Sequence, residues 1–419
     1  MSRRLHFTIL SVLLLWISAG SRTIATGNAA EAGPAKTDLK MLVSHQHFAK
    51  LAKLAAGDLI LHYWIRTPSG HEIMPTWNGF PSRVDRQGVL WERAMLFLAL
   101  ENDYRATGDP RVLPILRAED HRLKKLYSLP QLQACGVGSL SPAVDDSGWD
   151  AMLFLSLYRY LGDRGMLRAA MGLVTHAYHR WLDSKFGGGL WYNDQRKIKS
   201  LYQVGIVLDS LQIYEITRRR AFYKWAQACY NWMQSRLLRK DGVYWCDYGA
   251  NGPIGKSRPN DINEGGSVSF LGGTMAMAVI DVKLYHITRN PIYLERALRT
   301  VAAVDKVFNR NGIYVDDRDA WCNATFMGQW AADVLTLPGV APPSRAILFR
   351  TALSVYKNAR TKDGYYGGSW AGPAQGPGSR WWPGSSPQQI MTSSDSANVI
   401  MAAAILEQAL SPTKFSRHR

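Results

Sequence analysis

An all-α fold, an (α/α)6 barrel of six helical hairpins, is predicted for this chain by three features of its sequence. Apolar residues recur at helical spacing in about twelve segments, whereas the alternation expected of strands is scarce. Short turns alternate with long loops rich in glycine and aromatic residues. Helices that follow the long loops are apolar almost all round, and those that follow the short turns are amphipathic.

The predicted helices span 40–65, 89–108, 110–128, 147–161, 163–183, 200–217, 220–238, 267–288, 291–308, 322–336, 342–359 and 392–410. Between them, Ala106-Thr107-Gly108-Asp109-Pro110, Leu161-Gly162-Asp163, Thr217-Arg218-Arg219-Arg220 and Thr288-Arg289-Asn290-Pro291 read as tight reversals. The long connections run from Ser69-Gly70 to Trp77 and from Gly136 to Asp146. The others contain Gly187-Gly188-Gly189-Leu190-Trp191-Tyr192, Asp241-Gly242-Val243-Tyr244-Trp245, Asn311-Gly312-Ile313-Tyr314 and Asp363-Gly364-Tyr365-Tyr366. They recur every 50 to 70 residues, and a self-similar unit of that length implies hairpins that bury one another's apolar faces.

Six such hairpins close into a ring, with the helix after each long loop on the inside. Segment 147–161 fits that position, with Trp149, Met152, Leu153, Leu157 and Tyr160 on one face and Phe154 and Leu155 on the other. Segment 267–288 does too, with Val268, Phe270, Leu271, Met275, Met277, Val279 and Ile280, and with Gly272 and Gly273 permitting close approach. Segment 220–238 is an outer partner, where Tyr223, Ala226 and Tyr230 are interleaved with Lys224, Gln227 and Arg236. All long loops then gather at one end, beside the N-termini of the inner helices, and a ligand would bind there.

Arg3-Arg4 precede an apolar run from Phe7 to Ala19 followed by small residues, the layout of a signal peptide over residues 1–30. The run is shorter than the roughly 20 residues that span a bilayer, so export with cleavage between Ser21 and Ala30 is expected over a membrane anchor. Residues 31–419 carry the repeat from end to end without a linker, which predicts a single domain.

The formal charge is +17, and removing Arg3, Arg4 and Arg22 leaves about +14. Such a balance favours acidic partners. The cations are scattered over helix faces, however, with Arg218-Arg219-Arg220 the one tight cluster, and no nucleic-acid motif accompanies them. Solvated helix faces account for most of them, while attraction to an anionic glycan or an envelope surface stays open. Cys135, Cys229, Cys246 and Cys322 are too few for a disulfide scaffold and too far apart for a CxxC site. They are read either as unpaired buried thiols or as holding one bridge, Cys229 to Cys246.

No HExxH motif, Cys/His cluster, GxSxG elbow or phosphate loop occurs, so no catalytic metal and no cofactor are predicted. Carboxylates and aromatics remain. Glycoside hydrolysis uses two carboxyl groups, one to protonate the departing oxygen and one to attack or to activate water. Sugar rings present apolar C–H faces, so a cleft for them needs aromatic platforms. The chain has 15 Trp, and Trp77, Trp191, Trp245, Trp321, Trp370, Trp381 and Trp382 lie in or beside the long loops. Asp145-Asp146 end one long loop at the mouth of an inner helix. One of them would serve as an N-cap, and their mutual repulsion raises one pKa, as a general acid requires. Asp316-Asp317, with Asp319 nearby, form a rival pair that spacing alone does not separate.

At this point the motifs resemble those of the family 76 glycoside hydrolases, endo-acting α-1,6-mannanases with an (α/α)6 barrel. The family's Asp-Asp pair before an inner helix resembles Val144-Asp145-Asp146-Ser147-Gly148-Trp149. Its GGG-aromatic-Trp-Asn loop resembles Gly187-Gly188-Gly189-Leu190-Trp191-Tyr192-Asn193, and its Asn-Gln-Gly start to a later inner helix resembles Ile262-Asn263-Glu264-Gly265. Ala106-Thr107-Gly108-Asp109 and Asn290-Pro291-Ile292-Tyr293-Leu294 look similar too, so the likeness runs over most of residues 80–410. The resemblance implies a retaining mechanism with Asp145 as nucleophile and Asp146 as general acid/base. It implies that Trp149, Trp191, Asn193 and Asn263 line the sugar sites; Glu264 beside Asn263, and Trp77 and Trp370 among the loop aromatics, are further candidates for substrate binding. Two departures stand out: Asp150 follows Trp149 where the family usually has a second aromatic residue, and Glu264 stands where Gln is usual. Either could redirect the enzyme to a different branched or charged exopolysaccharide.

The expected partner is a polysaccharide or oligosaccharide bound by a monomer, with no role for nucleic acid. Two other functions fit an (α/α)6 barrel: another polysaccharide-degrading enzyme, an unsaturated uronyl hydrolase or a lyase, whose cleft would be lined by cations, or a non-catalytic glycan-binding accessory protein.

Overall fold

The structure is a computed structural model that describes residues 47–67, 70–73, 90–137, 142–183, 188–250, 252–254, 270–316, 322–374 and 389–411. Its helices in chain order are α1 (His47–Tyr63), α2 (Leu90–Thr107), α3 (Val112–Leu126), α4 (Leu129–Leu132), α5 (Val144–Leu161), α6 (Arg164–Trp181), α7 (Val204–Thr217) and α8 (Arg220–Arg236). They continue with α9 (Leu271–Thr288), α10 (Ile292–Val307), α11 (Met327–Gln329), α12 (Pro342–Ser354) and α13 (Ile390–Leu410). A wider π-type turn extends α11 to Val334 and α12 to Ala359.

Packing closes an inner ring in the order α2, α5, α7, α9, α11 with its extension, and α13, which returns to α2. Outside it, α3, α6, α8, α10 and α12 cover the ring, and α1 lies against α13 and α2. The predicted (α/α)6 architecture is therefore present. Composition decides which layer a helix joins. On α5 every residue from Ser147 to Leu157 is buried, and on α13 every residue from Ile390 to Glu407. The outer α6 and α8 bury a single stripe each, such as Met166, Leu173, Val174 and Tyr178, or Phe222, Ala226, Tyr230 and Met233.

Each inner helix enters after a long connection, so the inner helices run parallel and begin at the same end. Several long connections are braced by short ribbons. Strand β1 (Trp64–Thr67) pairs with β2 (Gly70–Ile73), and β3 (Lys199–Ser200), β4 (Asp247–Gly249) and β5 (Gly252–Ile254) form a three-stranded sheet. Strand β6 (Asn309–Arg310) pairs with β7 (Ile313–Tyr314). At the opposite end the turns are tight. Gly162 closes α5 in the left-handed conformation with φ 73°, and the Asp163 carboxylate accepts from Gly165 N at 2.6 Å to cap α6.

Inner helices α5 and α7 touch near their first turns because both carry glycine there. A methyl group at Gly148 would stand 3.2 Å from Gly205 Cα. All four cysteines are buried and none lies in a disulfide, so Cys229 and Cys246 form no bridge. Among the described residues no helix is long and apolar enough to cross a membrane. The predicted signal peptide lies outside the described residues.

Candidate active site

Helix α5 begins at Val144, three residues earlier than its apolar spacing predicts. Asp145 and Asp146 thus belong to its first turn instead of preceding it, and neither is the N-cap, which is Ala143 without a side-chain bond. The reason is a strap. Ala143 bridges Asn193 in antiparallel fashion, and Val144 N donates to Tyr192 O at 2.8 Å. The strap is itself anchored, as Trp191 N donates to Trp181 O at 2.9 Å and Leu190 N to Gln203 Oε1 at 2.9 Å.

This geometry places the Tyr192 hydroxyl on the carboxylate of Asp145, where it donates to Oδ2 at 3.2 Å; Asp146 N donates to Oδ1 at 3.1 Å. Burial pushes Asp145 up to about 6, and the hydrogen bonds from Asp146 N and Tyr192 oppose that rise. Asp146 is half-buried on the same turn, where the positive end of the helix dipole favours carboxylates. One turn on, Asp150 is 1% exposed, and neither of its oxygens makes a hydrogen bond among the described residues. The Val137 backbone lies near enough to favour the anion somewhat, but burial first and Asp146 second hold Asp150 well above the ordinary carboxylate range.

The predicted sugar-site residues separate. Trp191 is half-buried on the strap, with Lys199 Nζ 4.9 Å from its ring centre. Lys199 in turn pairs with Asp183 at 3.1 Å and donates to Gly188 O at 2.7 Å. Asn193 is half-buried beside it, its Oδ1 accepting from Gln195 N at 3.1 Å. Trp149 and Trp370 are corrections. Trp149 is 2% exposed and packs on Phe326 with ring centres 5.5 Å apart, and Trp370 is 0% exposed. Both are core plugs, since a ring covered by protein offers no face to a sugar. Trp77, Asn263 and Glu264 lie outside the described residues.

The rival acidic pair has a structural role at its first member. Asp316 is buried and its Oδ2 accepts from Leu271 N at 2.9 Å, which caps inner helix α9. Asp317 and Asp319 lie outside the described residues. Sequence reasoning missed Tyr192 as a partner of Asp145. The available signal was its place in the glycine-rich strap, next to Trp191. Tyr202, 6.4 Å from Tyr192 and 4.7 Å from Phe270 by ring centres, continues an aromatic wall away from the pair. No group of three His, Cys, Asp or Glu among the described residues is placed to hold a metal ion. The arrangement offers two adjacent carboxyl groups, one hydrogen-bonded to a phenol, which suits proton transfer combined with nucleophilic attack.

The model of the glycosyl hydrolase family 76 matches residues 48–414. Among solved structures, the chain is similar to the GH76A alpha-1,6-mannanase from Salegentibacter sp. HEL1_6, with TM-score 0.65 and 17% identity over 86% of this chain and 99% of that one. It is similar also to a family 76 glycoside hydrolase from a bovine Bacteroides thetaiotaomicron strain, with TM-score 0.67 and 16% identity over 87% of this chain and 79% of that one. An inactive variant of the Salegentibacter enzyme, with two consecutive aspartates changed to asparagine, was solved with alpha-1,6-mannotriose; its TM-score is 0.66 at 17% identity, over 86% of this chain and 99% of that one. No curated protein matches the chain.

Proposed function

Because this chain belongs to glycosyl hydrolase family 76, we propose that it cleaves α-1,6-linked mannan, or a related microbial polysaccharide, by a retaining mechanism centred on Asp145 and Asp146. The observation that carries the proposal is the Tyr192 hydroxyl on Asp145 within the first turn of α5, with Asp146 beside it. In the first step the Asp145 carboxylate attacks the anomeric carbon while Asp146 gives its proton to the glycosidic oxygen, so the C–O bond breaks as a glycosyl ester forms. In the second, Asp146 takes a proton from water, whose oxygen displaces Asp145 from the anomeric carbon.

The pKa of Asp145 near 6 suits its role, because the group is ionised at neutral pH yet only weakly stabilised as an anion. Half-buried Trp191 and Asn193 on the strap are the described candidates for sugar contacts. The mannan assignment draws support from the Salegentibacter mannanase, whose inactive form also has two consecutive aspartates replaced. Action outside the cytoplasm belongs to the same proposal and rests on the leader pattern of residues 1–30.

The test is hydrolysis of an α-1,6-linked mannan by the purified mature protein beside Asp145→Asn and Asp146→Asn, with products resolved by size and anomeric configuration. The expected result is oligosaccharides of retained configuration, abolished in both variants while circular dichroism stays native. Inverted products, or full activity in either variant, would overturn the mechanism. A wild type that binds glycan without cleaving any of a wider panel would overturn the enzymatic reading.

A further inference from the structure

Outer helices α6 and α8 do not meet along their full length. Between them, with α4 at one side, lies an open groove of about 800 Å³, within the size range of small-ligand sites. Its wall on α6 carries Arg168, His176 and His179 at helical spacing, with Met171, Gly172 and Thr175 between them, and Arg219 from the triple-arginine turn lines it as well. Phe222 and the half-buried Trp225 line the α8 side, and no Asp or Glu lines the groove.

The two guanidiniums are not tied down by carboxylates, a condition they share with exposed arginines such as Arg164, Arg218 and Arg220, but they are the two that line this groove. Arg93, Arg111, Arg122, Arg159, Arg180, Arg239 and Arg360 each sit in a salt bridge, whereas Arg168 and Arg219 are exposed and make none among the described residues. Unpaired planar cations are ready to bind phosphate or carboxylate in bidentate fashion. Trp225 is packed among other rings. Tyr178 stacks on it at 4.9 Å, Phe222 and His179 meet it edge-on at 5.5 and 5.8 Å, and the ring is part of the groove lining. An indole beside free guanidiniums matches a ligand with alternating apolar and anionic surfaces, which describes a charged sugar chain.

We propose that this groove is a second, non-catalytic binding site for an anionic stretch of polysaccharide bearing phosphate or carboxylate groups. Its direction supports that use. From Arg168 to His179 the groove wall runs about 16 Å along α6 at 1.5 Å per residue. The His179 end approaches Trp181, which is bonded to the Trp191 strap at the mouth of the barrel. A polymer lying in the groove is thereby led toward the end that carries Asp145 and Asp146.

The test is titration calorimetry with three probes: a phosphate-bearing mannan oligosaccharide, an oligogalacturonate, and neutral α-1,6-mannotriose. Wild type is compared with Arg168→Glu/Arg219→Glu and with Trp225→Ala, each checked by circular dichroism. The double charge reversal should weaken binding of at least one anionic probe by roughly tenfold, more at low salt than at high, and leave mannotriose unaffected. Whichever anionic probe responds identifies phosphate or carboxylate as the recognised group. Trp225→Ala should weaken the same probe. The proposal fails if wild type binds neither anionic probe, if the charge-reversed variant binds both as wild type does, or if duplex DNA or anionic lipid vesicles depend on these arginines while the oligosaccharides do not. Binding is the readout, so an inactive wild type would overturn the proposed hydrolysis and leave this site standing.

Discussion

Glu119 on outer helix α3 and Asp145 on the first turn of inner helix α5 show two ways of enclosing a carboxylate. Glu119 is 1% exposed and is gripped by Arg93, Nε to Oε1 at 3.1 Å, and by Arg122, Nε to Oε2 at 2.8 Å. Arg93 and Arg122 outweigh burial and hold it down to about 2. Asp145 receives a phenol and a backbone amide in place of cations, and burial prevails, carrying it up to about 6. Deeper in the inner ring, Asp209 on α7 is 0% exposed with no hydrogen bond to either oxygen, and burial lifts it well above the ordinary range, opposed only by the charge of Arg159. On the outer wall, Glu119 is neutralised by two cations. Asp145, Asp150 and Asp209 on the inner helices are left without a paired cation, which costs stability and is the condition in which a carboxyl group can exchange a proton near neutrality.

Four substitutions test that contrast. Asp145→Asn should lower kcat/KM on mannan by about 10⁴-fold without lowering the thermal midpoint, because the lost group serves the reaction and not the fold. Glu119→Ala should do the reverse. Removing the Glu119 carboxylate from buried Arg93 should cost about 3–5 kcal/mol in denaturant unfolding, while the folded fraction keeps its turnover. For Asp209 the sign follows from its raised pKa. The folded protein holds a proton that the unfolded chain releases above about pH 4, so stability falls as pH rises, by at most about 1.4 kcal/mol per unit. Asp209→Asn should flatten that slope in melts between pH 5 and 8, and an unchanged slope would show that Asp209 folds ionised. The smallest effect is expected for Tyr192→Phe. Its hydroxyl favours the Asp145 anion, so its removal should move the acidic limb of the kcat/KM profile from near 6 upward by about half a unit.

Helix positions were legible because an inner helix needs apolar residues on all sides and an outer one needs a stripe, and both patterns are local. The aspartate pair was legible as a pair for the same reason. Its setting was not. The Tyr192 hydroxyl reaches Asp145 only because the strap bridges Ala143 to Asn193, and no local pattern reports a bridge of that span. The early start of α5 has the same origin, since the strap fixes Val144. Trp149 and Trp370 were misjudged because an aromatic residue beside a glycine-rich loop fills a core as readily as it floors a cleft, and only the packing decides. The ring itself was legible from the sixfold repeat, but the contacts that seal its seam were not, because periodicity identifies a helix without naming its distant partner.

That closure makes α1 and α13 the two ends of a clasp. Glu407, near the end of α13, accepts from Phe48 N at 3.3 Å and Ala49 N at 3.0 Å, the otherwise unpaired amides that open α1. Tyr63 at the other end of α1 donates to Gln389 O at 3.1 Å, just before α13 begins. Since α13 also packs on α2, the chain cannot seal its ring during synthesis until its last helix has left the ribosome. Until then the apolar flanks of α1, α2, α11 and α12 stay uncovered, and a stop codon at 389 would remove one helix from the sequence but unseat four of its neighbours.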